Sequence, residues 1–185
     1  MGHLRYIGDP VLRTRCEEVE KIDDFALKVA GDLLRFCKEV DCSGLAAPQL
    51  GYPIRMYAVV LSDEVDSKGY PIDAAEVTLF MNPVITRVSK ETVLMEEGCM
   101  SIPGIRANVR RSRTIDIRAV NPFTRETFEE KGLSSWRARC ILHEEDHING
   151  ILFIDRLDND EKKRIEADLL IVEQRYRYHV PKNIL

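Results

Sequence analysis

The stretch that most constrains the fold is His143-Glu144-Glu145-Asp146-His147, a His-Glu-x-x-His motif. On an α-helix, residues four apart lie one turn apart on the same face, so both imidazoles can bind one metal ion. Glu144 then lies beside that ion, where its carboxylate can move protons. Ser134 or Ser135 is a suitable N-cap and Gly150 a suitable stop, which predicts a metal-binding helix between them. The alternative is that the two histidines merely pair with carboxylates.

Composition excludes several classes of protein. A chain of 185 residues, 44% hydrophobic and 31% charged, is typical of one soluble globular domain, so we expect residues 1–185 to form a single domain. The net charge of −4 gives no indication of specific nucleic-acid binding. No apolar run reaches membrane-spanning length and the N-terminus lacks a signal core, so we expect a cytoplasmic protein with no membrane partner. The 5 cysteines form no Cys-x-x-Cys pair, which indicates free thiols.

Hydrophobic periodicity predicts an α+β fold, with antiparallel strands packed around a central metal-binding helix. An N-terminal helix is expected from Asp23 or Asp24 to about Asp41, and a C-terminal helix from Asp158 or Asp160 to about Tyr178. Strands are expected at 54–61, 77–88, from 92 to a break at Gly98, 105–111, 114–121 and 126–131, with a strand or extended arm at 150–157 and a surface loop at 62–76. Pro83 should force its strand toward an edge or a bulge.

Residues 42–51, CSGLAAPQLG, are small and bounded by glycines. Such a loop allows the backbone to approach a ligand closely, although an ordinary connection between helix and strand is an equal alternative. Gln49 is the one side chain of this loop that offers both an amide donor and an acceptor.

A catalytic zinc or iron site needs a third protein ligand besides two histidines. Continuing the motif as in metzincins places Phe153 at the ligand position, and Phe cannot bind a metal. Cys140 lies about 10 Å from His147 along the helix, too far for a short side chain, and is interpreted as a pocket wall. Glu166 lies roughly where thermolysin-like proteases carry a glutamate ligand. Cys99, in a polar segment bent by glycine, is compatible with zinc or ferrous iron.

Three segments, CSGLAAPQ, EGCMS and LHEEDH, occur in this order and together resemble the peptide deformylase family. The opening GDPVLR and Ile102-Pro103-Gly104 are also similar to that family, so the resemblance covers essentially the whole chain. Trp136 followed by Ala138-Arg139 resembles the organellar and plant-type members.

The resemblance implies a metal-dependent hydrolase that removes the formyl group from the N-terminal formyl-methionine of newly synthesised polypeptides and releases formate. It implies one Fe2+ per chain, with Zn2+ or Ni2+ as substitutes, bound by Cys99, His143 and His147. Glu144 is then the general base, and the oxyanion is held by the Gln49 side-chain amide and the Met100 backbone N–H.

The resemblance also implies where a formyl-methionyl nascent peptide binds. Ser43, Gly44 and Gly98 would offer backbone hydrogen bonds, Arg106 would contact the peptide further along, and the methionine pocket would be lined by Met95, Trp136 and Cys140. The C-terminal helix would touch the ribosome through Lys162, Lys163, Arg164, Arg175 and Arg177, although interspersed acidic residues fit a plain solvated face equally well.

Three residues depart from the family pattern. Cys42 replaces the first glycine of the loop, Ser43 replaces an apolar neighbour, and Leu142 replaces the glutamine before the first histidine. Three alternatives therefore stay open. They are a metallopeptidase that uses Glu166 as third ligand, a domain with a structural metal, and a degenerate family member that binds formyl-peptides without turnover.

Overall fold

The computed structural model describes residues 3–40, 42–60 and 77–176, so the surface loop expected at 62–76 and the end of the C-terminal helix lie outside the described residues. Three α-helices are present in this part of the chain, α1 (Asp24–Val40), α2 (Ser135–Ile148) and α3 (Asn159–Tyr176). The strands are β1 (Gly44–Ala46), β2 (Met56–Val60), β3 (Val77–Val88), β4 (Thr92–Cys99), β5 (Ile102–Ser112), β6 (Thr114–Val120) and β7 (Thr127–Ser134). Short 3-10 helices span Pro10–Arg13, Ala47–Leu50 and Phe153–Arg156.

All strand pairs within these two sheets are antiparallel. Five strands form one sheet in the order β1-β2-β3-β6-β7, and β4 and β5 form a separate hairpin. Helix α2 contacts β1, β2 and β7 of the larger sheet as well as β5 of the hairpin. The α+β class and the central position of the helix that carries His-Glu-x-x-His are therefore confirmed.

Strand β2 shows why the larger sheet has a helix on each face. Successive side chains of a strand point to opposite faces. Tyr57 and Val59 pack in one cluster with α2, whereas Met56 and Ala58 pack in another with α1. Both sets are apolar and fully buried, which explains the uninterrupted hydrophobic run in the sequence.

A third apolar cluster holds the hairpin against the C-terminal part of the chain. Ile105, Ala107 and Val109 alternate along β5 and pack with Phe153 and with Ile165 of α3. Leu169 and Val172 of α3 are partly buried against the same cluster.

Strand β3 lies in the middle of the five-stranded sheet, so Pro83 does not place it at an edge. It is accommodated by a bulge, since the pairing with β6 shifts register between Met81 and Val84. At this bulge Asn82 has φ 47°, and its side chain exchanges hydrogen bonds of 2.8 and 2.9 Å with the backbone of Val19. The Asn82 side chain thereby fixes the N-terminal arm to the sheet.

Both outer helices begin at the acidic residues that the sequence predicted. The Asp23 carboxylate accepts a hydrogen bond of 2.9 Å from the backbone N of Ala26. The Asp158 carboxylate accepts bonds of 3.1 and 2.9 Å from the backbone N–H groups of Asp160 and Glu161. These bonds satisfy N–H groups that have no partner within the first turn of a helix.

Helix α2 follows β7 directly. Ser134 occupies the N-cap position in an extended conformation. Beyond the helix, Gly150 has φ 72°, and a Cβ there would lie 2.7 Å from the carbonyl oxygen of Arg13, so only glycine fits this position. The predicted stop is therefore confirmed. Strand β4, in contrast, runs through Gly98, and its register shift falls between Gly98 and Cys99.

The strand or extended arm expected at 150–157 is wrong at its centre, where Phe153–Arg156 forms a 3-10 helix. Asp155 explains the difference, because its carboxylate accepts a 2.8 Å hydrogen bond from the backbone N of Leu152 while its own N–H bonds to the Leu152 carbonyl. Such local side-chain bonds compete with extended structure. Among the described helices, none is both long enough and apolar enough to cross a membrane.

Candidate metal centre and its cavity

Three side chains from two elements converge on one point. The candidate donor atoms of Cys99, His143 and His147 all lie within 4.8 Å of one another. The Cys99 sulfur is 3.3 Å from Nε2 of His147. One thiolate and two imidazoles form a donor set that suits zinc or ferrous iron. The residues therefore fit a metal ion, and in the described part of the chain no fourth His, Cys, Asp or Glu joins the group.

The structure distinguishes between the two candidates for the third metal ligand, Cys99 and Glu166. Cys99 ends β4 beside α2, where the register shift after Gly98 turns the chain. Glu166 is exposed on α3 and is absent from the group of converging donors. The geometry thus favours Cys99 over the thermolysin-like arrangement.

The surroundings of Cys99 favour the thiolate form of its side chain. Burial alone would raise the pKa of its thiol, but the charge of His147 and hydrogen bonds with both histidines hold that pKa well below its usual value. A deprotonated sulfur is the form that binds a metal.

The orientation of His143 depends on Glu97. Nδ1 of His143 lies 2.9 Å from a carboxylate oxygen of Glu97, so Nε2 is the nitrogen left for a metal. Glu97 is in turn held by Arg111, at 2.6 and 2.9 Å, and by Arg139, at 2.5 Å. Burial acts to raise the pKa of Glu97, but its contacts with His143 and Arg111 hold that pKa far below its usual value.

A buried ionic cluster links the hairpin to α2, and we define it as Glu97, Arg111, Arg139 and Asp146. Arg111 bridges the two acids, with Nη1 2.7 Å from Asp146. Burial would lower the pKa of Arg111, but Glu97 and Asp146 raise it above its usual value. No sequence pattern assigned these four residues a role. One signal was present, because Arg111 continues the inward alternation of Ile105, Ala107 and Val109 along β5.

Glu144 lies beside the three candidate ligands and is almost fully buried. Its Oε2 has no hydrogen-bond partner among the described residues. Burial raises the pKa of this carboxyl to about 7, and the nearby His143 and His147 limit that rise. A carboxylate with an unused oxygen and a pKa near neutrality is suited to general acid–base work.

Gly44 of β1 defines where Glu144 can lie. A Cβ built on Gly44 would fall 2.6 Å from Oε1 and 3.0 Å from Cγ of Glu144. Real carbon and oxygen atoms do not approach so closely, so a side chain at position 44 would displace the carboxylate. This is the close backbone approach that the glycine-rich loop suggested.

We expect Gly44→Ala to lower kcat by about 10- to 100-fold, because a shift of about 1 Å in a catalytic group can cost that much. Metal content should not change, and steady-state kinetics with metal analysis measure both. Gly31→Ala is the matched control, since its added Cβ meets nothing within 4 Å on α1. It should leave kcat unchanged and stabilise the protein by about 0.5–1 kcal/mol. Equal kcat for the two variants would contradict this placement of Glu144.

Gln49 is held at the site by its own loop. Its Oε1 accepts a hydrogen bond of 2.8 Å from the backbone N of Ala46. The amide Nε2 therefore points the other way, 3.2 Å from Oγ of Ser101 and 3.5 Å from the sulfur of Cys99. Gln49 and Met100 both line the cavity next to the candidate ligands.

These groups line one cavity of about 490 Å³. Most residues that the resemblance assigned to substrate binding lie on its wall, namely Ser43, Gly44, Gly98, Arg106, Trp136 and Cys140. Met95 does not. It lines a separate, smaller depression with Val93, Ser112 and Ser134, so its assignment to the methionine pocket is not supported.

The structure places two of the residues that depart from the family pattern, Leu142 and Cys42. Leu142 packs against the apolar cluster under α2, and its carbonyl oxygen accepts a 3.2 Å bond from Arg111. Cys42 lies on the cavity wall, with its sulfur 3.4 Å from that of Cys37 on α1. Neither change removes a candidate ligand or Glu144.

Comparison with known proteins gives one consistent family. The family model described as polypeptide deformylase matches residues 1–163. The chain is similar to the peptide deformylase of Pseudothermotoga lettingae, with 33% identity over 172 residues that cover 92% of each protein. It is also similar to that of Microchaete diplosiphon, with 37% identity over 158 residues that cover 84% of this chain and 79% of the relative.

Solved structures show the same likeness. Peptide deformylase 1B of Arabidopsis thaliana, crystallised with an inhibitor, superposes with a TM-score of 0.83 at 27% identity, covering 98% of this chain and 97% of that one. The enzyme of Thermotoga maritima gives a TM-score of 0.74 at 34% identity, covering 85% and 98%.

Proposed function

The chain belongs to the peptide deformylase family, and from this premise we propose that Cys99, His143 and His147 hold its metal ion while Glu144 moves the protons of the reaction. The protein is a metal-dependent hydrolase that removes the formyl group from N-terminal formyl-methionine. The observation that carries the residue assignment is the convergence of three donor atoms within 4.8 Å beside a buried carboxylate.

The family is one of metalloenzymes, and when bound the ion would act as a Lewis acid toward water and the formyl oxygen. Glu144 takes the proton from the attacking water at its unused Oε2. It then delivers that proton to the leaving amine nitrogen of methionine. Burial suits both steps, because it brings the carboxylate pKa near neutrality.

Charge that develops on the formyl oxygen needs donors fixed in advance. We assign this role to Nε2 of Gln49 and the backbone N–H of Met100. Gln49 supports the assignment, because its bond from Ala46 leaves the amide hydrogens directed at the metal centre. Met100 follows the ligand Cys99 directly and lines the same cavity.

The residues that line the cavity suggest how a formyl-methionyl peptide would bind there. We propose that Trp136 and Cys140 wall the methionine pocket and that backbone groups of Ser43, Gly44 and Gly98 bond the extended peptide. We also propose that Arg106 contacts later residues of the peptide, because it lines the cavity and its guanidinium, 2.6 Å from the exposed Glu96, lies near the surface. Met95 has no part in this proposal.

The native ion proposed is Fe2+, with Zn2+ or Ni2+ able to replace it, one per chain. Protein purified without oxygen and loaded with Fe2+ or Ni2+ should release formate from formyl-Met-Ala-Ser, and chelation should abolish release. Metal-loaded protein that releases no formate, yet binds the peptide, would instead identify a formyl-peptide-binding member without turnover.

The third ligand is tested by a pair of variants. Cys99→Ser should lose the bound metal, because a hydroxyl is a poor replacement for a thiolate. Glu166→Gln should keep it, since Glu166 is exposed on α3. Elemental analysis of purified protein measures both. The reverse outcome would restore the metallopeptidase alternative.

We further propose that residues 1–185 act as one cytoplasmic catalytic domain that contacts the ribosome through α3. Free cysteines support a reducing compartment. Lys162, Lys163 and Arg175 are exposed on α3, while Arg164 bonds Glu161 and Arg177 lies outside the described residues. Reversal of the exposed charges should reduce co-pelleting with ribosomes, and unchanged pelleting would refute the contact.

A further inference from the structure

Two thiols meet at the rim of the cavity. Cys37 lies near the end of α1, Cys42 follows shortly after that helix, and their sulfur atoms are 3.4 Å apart. A disulfide has an S–S length of about 2.05 Å, so the two sulfurs need to approach by about 1.4 Å. Neither cysteine takes part in the proposed reaction.

The two thiols differ in accessibility. Cys42 is half-buried and lines the cavity, whereas Cys37 is only 3% exposed and packs among the apolar residues of α1. The hydrogen bond from Cys42 and burial both raise the pKa of Cys37. Cys42 is therefore the sulfur that an oxidant in the cavity would reach first, with Cys37 positioned behind it.

The segment that carries Cys42 forms part of the cavity wall that we assign to substrate binding. Val40, Cys42, Ser43 and Gly44 all line the cavity. The Ser43 carbonyl is bonded to the backbone N of Val60 at 2.9 Å, and Gly44 lies against Glu144. A bond that draws Cys42 toward α1 would thus shift backbone groups that face the substrate.

We propose that Cys37 and Cys42 form a reversible disulfide that weakens substrate binding at the cavity rim. The kinetic part of this inference rests on the proposed function, whereas formation of the bond does not. Because the bond closes a loop of only a few residues, it adds little to stability and should be readily reduced.

The chemistry balances with a peroxide as oxidant. The Cys42 sulfur attacks hydrogen peroxide, the O–O bond breaks, and a sulfenic acid and water form. The Cys37 sulfur then attacks the Cys42 sulfur, the S–S bond forms and a second water leaves. The two thiols lose two electrons and two protons, and the peroxide is reduced to two waters. A dithiol reverses the change by exchange.

Peptide mapping of Ni2+-loaded protein tests the bond directly. After peroxide treatment, thiol blocking and trypsin, peptides 36–38 and 39–55 should appear as one linked species, two hydrogen atoms lighter than the two free peptides together. Dithiothreitol should separate them. Cys37→Ser and Cys42→Ser should both abolish the link, and the buried Cys16→Ser should retain it. Cys99, which lies in peptide 91–106, should show no oxidation.

Steady-state kinetics on the same samples test whether the disulfide weakens substrate binding. The KM for a formyl-methionyl peptide should rise by about threefold or more on oxidation and return on reduction, with no change in metal content. Cys37→Ser, compared with its own untreated form, should show no such rise. Accumulation of Cys42 as sulfinic or sulfonic acid without the link would overturn the proposal, and so would a linked protein with unchanged KM. If no formate is released even before oxidation, the proposed function fails, while the linked peptide still decides whether the bond forms.

Discussion

Replacement of Glu144 by Gln is expected to lower kcat/KM for a formyl-methionyl peptide by about 100- to 10,000-fold, the range that a positioned general acid–base group contributes. Gln has the same size, so the cavity and the position against Gly44 should be kept. Its amide cannot accept a proton from water or pass one to the leaving amine. Formate release measures the loss, and elemental analysis should show the same metal content as the parent protein.

Glu145→Gln is the matched control for this experiment, because Glu145 is the next residue of the same helix. Its carboxylate turns away from the cavity to Arg55, at 2.9 Å, and to Asn149, at 3.0 Å. We expect its kcat/KM to stay within about threefold of the parent value. The assignment of Glu144 would fail if both variants lost activity equally, or if Glu144→Gln lost its metal.

Arg111→Met should lower the free energy of unfolding by about 3–5 kcal/mol, the cost of removing one partner of a buried ion pair. The side chain of Arg111 is only 5% exposed and bridges Glu97 and Asp146. Without it, the Glu97 carboxylate keeps Arg139 and His143, and the Asp146 carboxylate keeps Arg156. Because Glu97 orients His143, metal affinity should also fall by about 10- to 100-fold.

Arg110→Met separates this effect from a general loss of charge on β5. Arg110 precedes Arg111 but points to the exposed side, where its guanidinium lies 3.5 Å from Thr92. We expect a change within about 0.5 kcal/mol. Urea denaturation of both variants at equal metal loading measures the difference. Equal midpoints would show that the buried ionic cluster contributes little.

Individual elements show how far sequence patterns reach. The starts of α1 and α3 were predictable, since an aspartate bonds N–H groups two or three residues away. The strand at β3 was also predictable, but its central place in the sheet was not, because the bulge that accommodates Pro83 depends on its pairing with β6. The 3-10 helix at Phe153–Arg156 was missed, because one aspartate there outweighs the hydrophobic pattern.

For the site, the sequence alone determined that His143 and His147 share a helix face with Glu144 beside them, because α-helical geometry relates residues four apart without help from the rest of the chain. Family motifs added Cys99. Only the tertiary structure decided that Glu97, 46 residues away, orients His143, that Gly44 defines the position of Glu144, and that Met95 lies outside the cavity. These arrangements involve residues far apart in the chain, and their geometry is set by how the hairpin, α2 and β1 pack together rather than by any local period.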